Sequence, residues 1–231
     1  MIRKISLTIT SLLGLAVATG LAADKTYTFG VIAKSNNNPV FQAAKTGAED
    51  EAAKLSKEHG VTIKIDWRTP NEEDPQKQVE AIETLVNAGA NGIAVSASDA
   101  NKLTDAINAA VAKGVPVVCF DSDVPKSKRL ANFGTDDIDC GHKVMSELAK
   151  EMNGKGVVAI LAGNQNAPNL QKRVAGVKEE AKKSAGIKII DTYYHKETPQ
   201  DAAAKVEQVV QAHPETWTSS LHLLLLTISP G

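Results

Sequence analysis

TFGVIAKSNNNPVF, residues 28–41, joins an apolar run to a helix start through a short polar turn. The TFGVIA portion, Thr28–Ala33, reads as a buried strand. Asn38 followed by Pro39 supplies a helix cap and a proline at the first helical position, where a missing N–H costs nothing. Phe41, Ala44, Ala48, Ala52 and Leu55 then recur at steps of three and four, so one face of the helix is expected to meet a sheet. His59-Gly60 ends it with a glycine suited to the left-handed conformation.

Outward from this unit the same alternation repeats. Val61–Trp67 is expected as a strand, and Asp74–Ala88 as a helix with Val79, Ile82, Leu85 and Val86 inward. Gly92–Ser96, Asn101–Lys113 and Val115–Phe120 continue as strand, helix and strand. Helices of this length between strands imply an α/β fold with a parallel sheet covered on both faces. Leu130–Asp137 (LANFGTDD) reads as an extended link to a second series. That series is helix Ile138–Met152, strand Val157–Ala162, helix Pro168–Lys183, strand Ile187–Tyr193 and helix Pro199–Ala212. Two lobes account for the break, and one long doubly wound sheet is the alternative. Leu221–Ile228 could add a last apolar strand and is far too short to span a bilayer.

The amino end carries Arg3 and Lys4, an apolar stretch from Ile5 to Leu21, and small residues at Gly20–Ala23. This is the pattern of a signal peptide, cleaved after Ala22 or Ala23, and it implies a soluble exported protein. No cysteine lies there to take a lipid. The chain has 26 basic and 27 acidic side chains among 231 residues, which gives no basic footprint for nucleic acid. Cys119 and Cys140 would be permitted a disulfide by an oxidising compartment, or could be two small buried apolar residues. His59, His142, His195, His213 and His222 show no metal-ligand spacing. Nucleophile-elbow, phosphate-loop and dinucleotide motifs are missing, so neither catalysis, a cofactor nor a metal is expected.

In open parallel sheets, ligands bind beyond the carboxyl ends of the strands. Here those loops are Lys34–Asn38, Ser96–Asp99, Asp121–Asp123, Gly163–Asn169 and Tyr193–Lys196. Asp121 could accept from two adjacent hydroxyls, and it could equally cap a turn, since Asp-Ser-Asp-Val-Pro is good turn chemistry. Asp123 suits the turn. Asn169 and Arg173 lie one helical turn apart on one face. An amide and a five-donor guanidinium there suit a polyol or carboxylate, although spacing alone fits a solvated face with Lys172 and Lys178 better. Asn38 is a cap in any case, and Phe41 fits the core as well as a stacking platform.

The stretches GVIAKSNNNPVFQAAKTGAEDEA, GIAVSASDA, GVPVVCFDSDVPKSKRLANFGTDD and GVVAILAGNQNAPNLQKRVAGVKE, taken in order, resemble the type I periplasmic sugar-binding proteins. These are relatives of ribose- and galactose-binding proteins and of the effector domains of Lac-repressor-type regulators. The likeness runs from about Tyr27 to Glu215. It implies two Rossmann-like lobes joined by a hinge, with the second lobe incomplete. The corresponding divisions are a signal peptide at 1–23, a first lobe at 24–134, a partial second lobe at 135–216 and an aberrant tail at 217–231.

By that resemblance Asn38 matches the asparagine of the N-N-P turn, and Phe41 the second aromatic after its proline. Asp121 matches the aspartate that ends the fourth strand and binds sugar hydroxyls. Arg173 matches the arginine of the second lobe, and Asn169 the polar residue one turn earlier. Val40, Ser122 and Lys34 depart from the ribose-binding pattern, which puts ribose itself in doubt. Relatives continue for roughly another hundred residues, so weak or absent ligand binding is expected of this chain.

The function implied is that of a periplasmic, monomeric, non-enzymatic receptor delivering a sugar or polyol to an ABC permease in the inner membrane. A sensor for chemotaxis or signalling is the alternative. A regulator's effector domain fits less well, because a signal sequence stands where a helix-turn-helix would be.

Overall fold

A computed structural model describes residues 25–214 and the backbone of 221–226. The proposed signal peptide lies outside the described residues, as does the proposed tail apart from that backbone segment. The first half runs β1 (Thr26–Ile32), α1 (Pro39–His59), β2 (Thr62–Trp67), α2 (Pro75–Asn87), β3 (Gly92–Val95), α3 (Ala100–Ala112), β4 (Val117–Phe120) and β5 (Ala131–Phe133). The second runs α4 (Asp137–Glu151), β6 (Lys155–Ala162), α5 (Pro168–Ala181), β7 (Gly186–Tyr194), α6 (Pro199–Ala212) and β8 (Leu221–Leu226).

The strands form two separate parallel sheets, ordered β2-β1-β3-β4-β5 and β7-β6-β8. The two-lobe reading therefore stands over the single long sheet. The link at 130–137 is extended as expected except at its end. Its centre is β5, which adds a fifth strand beside β4, and Asp137 already belongs to the first turn of α4. Leu130 and Phe133 on this edge are exposed.

Local chemistry sets the helix ends. The Asn38, Asp74, Asp99 and Asp136 side chains each accept from backbone N–H groups of the first turn, which satisfies donors a helix otherwise leaves open. Gly60 closes α1 at φ 61°, in the left-handed region as its sequence implied.

Ile82 and Leu85 of α2 and Leu103 and Ile107 of α3 pack on Ile32, Ile93, Val95 and Val117 of the first sheet. Each fully buried aliphatic side chain of this kind contributes about 1.5–3 kcal/mol. On α1 only Phe41 and Ala52 are buried, while Ala44, Ala48 and Leu55 are half-buried. This helix packs mainly against β2, the margin of the sheet, so part of its apolar face stays open. In the second lobe Met145 of α4 and Val174 and Val177 of α5 meet Val158, Ile160 and Ala162 of β6, and Val209 of α6 closes the opposite face on Ala159.

Helices α4 and α5 approach very closely. A Cβ built on Gly141 would overlap the Arg173 carbonyl oxygen, and one on Gly176 the Ile138 carbonyl oxygen. No described helix is long and apolar enough to cross a membrane.

Candidate functional site

The loops at the carboxyl ends of the strands meet where the two lobes face each other. Lys34 leaves β1 into this seam and is fully buried. Its ammonium donates to both carboxylate oxygens of Glu197, across the seam, at 2.9 Å each. Glu73 from the loop before α2 stands 3.7 Å away. Burial works to lower the Lys34 pKa, but the carboxylates of Glu197, Glu73 and Asp121 outweigh it and leave the ammonium above its ordinary value. Burial, with the Glu197 charge acting in the same direction, pushes the Glu73 carboxyl up despite Lys34.

Asn164, at the end of β6, binds both acids. Its side-chain amide donates to Glu73 Oε2, and its backbone N–H donates to Glu197 Oε1 at 3.3 Å. Gly163 beside it has no room for a side chain, because a Cβ would strike the Glu197 side chain.

A second cluster lies along the same seam. Asp121, directly after β4, accepts from Ser96 Oγ at 2.8 Å and from Asn169 Nδ2, in the other lobe, at 3.1 Å. Asn169 occupies the first turn of α5, and Arg173 follows one turn later. Arg173 donates from Nε to Asp137 of α4 at 2.8 Å, with both side chains largely buried. Burial raises the Asp137 carboxyl above its ordinary range even with Arg173 alongside.

Asp121 and Glu197 have positive φ, 56° and 43°. Such backbone costs of order 1–3 kcal/mol per residue and persists where surrounding contacts over-determine it. Here both strained residues hold a carboxylate in the seam.

Asp121 and Asn169 are in direct contact. Phe41 is buried, with the Lys34 ammonium 5.8 Å from its ring centre, within cation–π range. Arg173 joins the cluster through Asp137 and is buried, so the solvated helix face suggested by spacing is wrong. Asn38 is buried and caps α1, its Oδ1 accepting from the Val40 N–H at 3.1 Å. Asp123 holds its turn as expected, accepting from the Val124 N–H at 2.7 Å and pairing with Arg129. Cys119 and Cys140 are both free thiols, and burial pushes the Cys119 thiol up to about 11.

Lys34, Ser96 and Asn164 stood in the sequence only as members of candidate loops, Lys34 also as a departure from pattern, and nothing there singled out Glu73, Gln78, Asp137 or Glu197. Gln78 sits fully buried in α2, where periodicity alone expects an apolar residue. Its Nε2 donates to the Ala33 and Ser96 carbonyls at 2.9 and 2.8 Å, and its Oε1 accepts from the Ser98 N–H at 3.0 Å. It thereby pins the ends of β1 and β3 that carry Lys34 and Ser96. A polar residue at an inward helix position was the available signal.

Two cavities open on this seam. One, of about 500 Å³, is bordered by Asn37, Glu72 and Glu73 of the first lobe and by Asn164, His195 and Lys196 of the second, among others. The other, of about 360 Å³, lies between α3 and α5 and is bordered by Thr104, Lys126, Gln171 and Lys172, among others. Asp121, Asn169 and Arg173 border neither; Asp121 and Asn169 are turned onto each other and Arg173 onto Asp137. Among the described residues no cluster of His, Cys, Asp and Glu could hold a metal ion.

The ribose import binding protein RbsB of Bacillus subtilis (strain 168) is 25% identical over 191 residues, covering 83% of this chain and 60% of the relative. The D-apiose import binding protein of Actinobacillus succinogenes is 25% identical over 203 residues, covering 87% of this chain and 63% of the relative. An ABC transporter solute-binding protein from Burkholderia graminis C4D1M, solved in complex with D-arabinose, superposes with a TM-score of 0.78 at 27% identity. That superposition covers 90% of this chain and 78% of the other. The chain thus spans less than two thirds of the length of the two import proteins. These relatives are binding proteins rather than enzymes. The periplasmic binding protein domain family matches residues 29–219, and with its two parallel-sheet lobes meeting at their strand ends the chain belongs to that family.

Proposed function

We propose that the chain is the sugar- or polyol-binding component of an ABC-type importer, taking its ligand between the two lobes. The observation that carries the reading is the contact of Asp121 with Ser96 in its own lobe and Asn169 in the other. A carboxylate held by two neutral donors can exchange them for ligand hydroxyls without leaving a buried charge unpaired. Asn169, Arg173 and Phe41 would complete the surround, with Asn38 fixing the turn between Lys34 and Phe41. The ligand's contribution is differential: it stabilises the state in which both lobes touch it.

On this reading residues 1–23 are removed on export, 24–134 and 135–216 form the two lobes, and a monomer in the periplasm presents them to a permease. The similarity to ribose and D-apiose import proteins and to a D-arabinose complex makes pentoses the first ligands to try.

The test is a thermal-shift and calorimetric panel of D-ribose, D-apiose, D-arabinose, hexoses and pentitols at millimolar concentration. Because weak binding is the expectation for this chain, at least one should raise the melting temperature by a small margin at these concentrations, as a weakly held ligand specific to the folded state does. Asp121→Asn should weaken that sugar by about tenfold or more, the scale of one charge-assisted hydrogen bond. A wild-type chain that no sugar shifts, with its melt still cooperative, would overturn the proposal.

A further inference from the structure

The larger cavity is bordered by Glu73 and His195, and each has one buried polar atom, Glu73 Oε1 and His195 Nε2, with no hydrogen-bond partner in the rest of the molecule, although Glu73 Oε1 stands 3.7 Å from the Lys34 ammonium. The His195 ring is held in one tautomer. Its Nδ1 accepts from the Glu197 N–H at 3.1 Å, so in the neutral ring the proton is on Nε2, which makes that atom a donor. Burial holds the ring's pKa below its ordinary value, against the pull of Glu197 and Asp201 and with the help of Lys205. The neutral form is therefore the one present near neutral pH. Glu73 Oε2 already takes the Asn164 amide, so Oε1 is the free acceptor of the ionised carboxyl. A buried donor or acceptor left unmet costs about 1–3 kcal/mol, and two beside one cavity need a common explanation.

We propose that this cavity is a hydroxyl-binding subsite of the inter-lobe cleft, in which Glu73 accepts from one ligand hydroxyl and His195 Nε2–H donates to another. The inference rests on the sugar-binding reading and adds to it a place and a pair of residues outside the Asp121 cluster. Ligand charge discriminates among the chemistries. An anion would face Glu72 and Glu73, while the nearest buried cation, Lys34, is committed to Glu197. A cation would satisfy Glu73 but leave the His195 N–H pointing at positive charge. A hydroxyl both donates and accepts, so neighbouring hydroxyls on one polyol meet both groups.

The experiment uses the panel sugar that gives the largest melting shift. Its affinity is measured calorimetrically for the wild type, His195→Leu, Glu73→Gln and Asp121→Asn, and the wild-type histidine ring is followed by ¹H–¹⁵N spectroscopy during titration. The inference expects about tenfold weaker binding in His195→Leu and in Glu73→Gln. It also expects the His195 Nε2–H resonance to move as the sugar saturates. The ring signal is read on unaltered protein, so it decides the matter even if a variant folds poorly. Affinity unchanged in both variants, with an unmoved ring signal and Asp121→Asn still weakened, sinks the subsite and leaves the sugar-binding reading intact. Loss confined to Asp121→Asn has the same meaning, whereas a wild type that binds no sugar removes both.

Discussion

The two halves of the inter-lobe seam solve the same burial problem in opposite ways. Around Asp121 the charged groups close on neutral or paired partners, Ser96, Asn169 and, behind them, Arg173 with Asp137, and what is left unmet there is uncharged, the buried Ser122 hydroxyl. Around Lys34 one ammonium faces Glu197, Glu73 and, further off, Asp121, and unmet atoms remain beside a cavity. A fully satisfied polar network rigidifies, while a buried group left unsatisfied calls for an explanation such as a bound water, an ion or a functional role. The lesson is that the rigid half sets the distance between the lobes and the under-satisfied half is left to respond.

That contrast fails most visibly if Lys34 is dispensable. Lys34→Met should cost about 3–5 kcal/mol of stability, the penalty for leaving a buried carboxylate without its partner. The measurement is the denaturant midpoint, with the slope checked for a change in the unfolded state. The double variant Lys34→Met, Glu197→Gln should recover much of the loss, because it removes the orphaned charge as well. A single-variant cost near zero would mean that water reaches the pair and that the seam is looser than its geometry.

The rigid half can be tested from behind. Gly176→Ala places a Cβ against the Ile138 carbonyl, so α4 and α5 must separate. Overpacking of this kind costs about 1–3 kcal/mol, and here it would also stretch the Arg173–Asp137 pair that bridges the same two helices. Thermal melting should fall correspondingly, and crosslinking or spectroscopy of the α4–α5 contact should show it loosened. A variant as stable as the parent would show that the helices have slack, and the Asp121 half would lose its claim to rigidity.

Legibility in the sequence followed the same division. Strand and helix positions were readable because apolar period and cap chemistry are local: Asn38-Pro39, Asp74-Pro75 and Pro199 mark helix starts within a residue or so of where they fall. The short strand β5 was not, since Ala131–Phe133 has no alternation and exists only because β4 offers a free edge. Of the seam, Asp121 and Asn169 could be found from their place after a strand and in a helix's first turn. Glu73 and Glu197 could not. They lie in polar loops that look like ordinary solvent-facing sequence, and only the approach of the other lobe buries them against Lys34. Nor does sequence reveal that Asp121 and Glu197 adopt positive φ, because that conformation is imposed by partners distant along the chain.

The smallest expected effect concerns acid. His195 has a folded-state pKa below its ordinary 6.5, so between those values the unfolded chain takes up a proton that the folded chain refuses. Its contribution is therefore present above about pH 6.5 and is lost as pH falls toward the depressed value. Glu73 acts in the other direction. Its pKa is raised above 4.5, so the contribution of its neutral form is fully present below 4.5 and fades as pH climbs through the raised value. Between the two ordinary values the groups oppose each other, and the wild-type profile alone would understate both. Replacing His195 by Gln removes one side of that opposition. The drop in melting temperature between about pH 7.5 and pH 5.5 should shrink by on the order of one or two degrees relative to wild type. A drop that is unchanged would mean that the ring already takes up protons in the folded state. Its Nε2 would then have water contact, and the cavity half of the seam would be as well satisfied as the other.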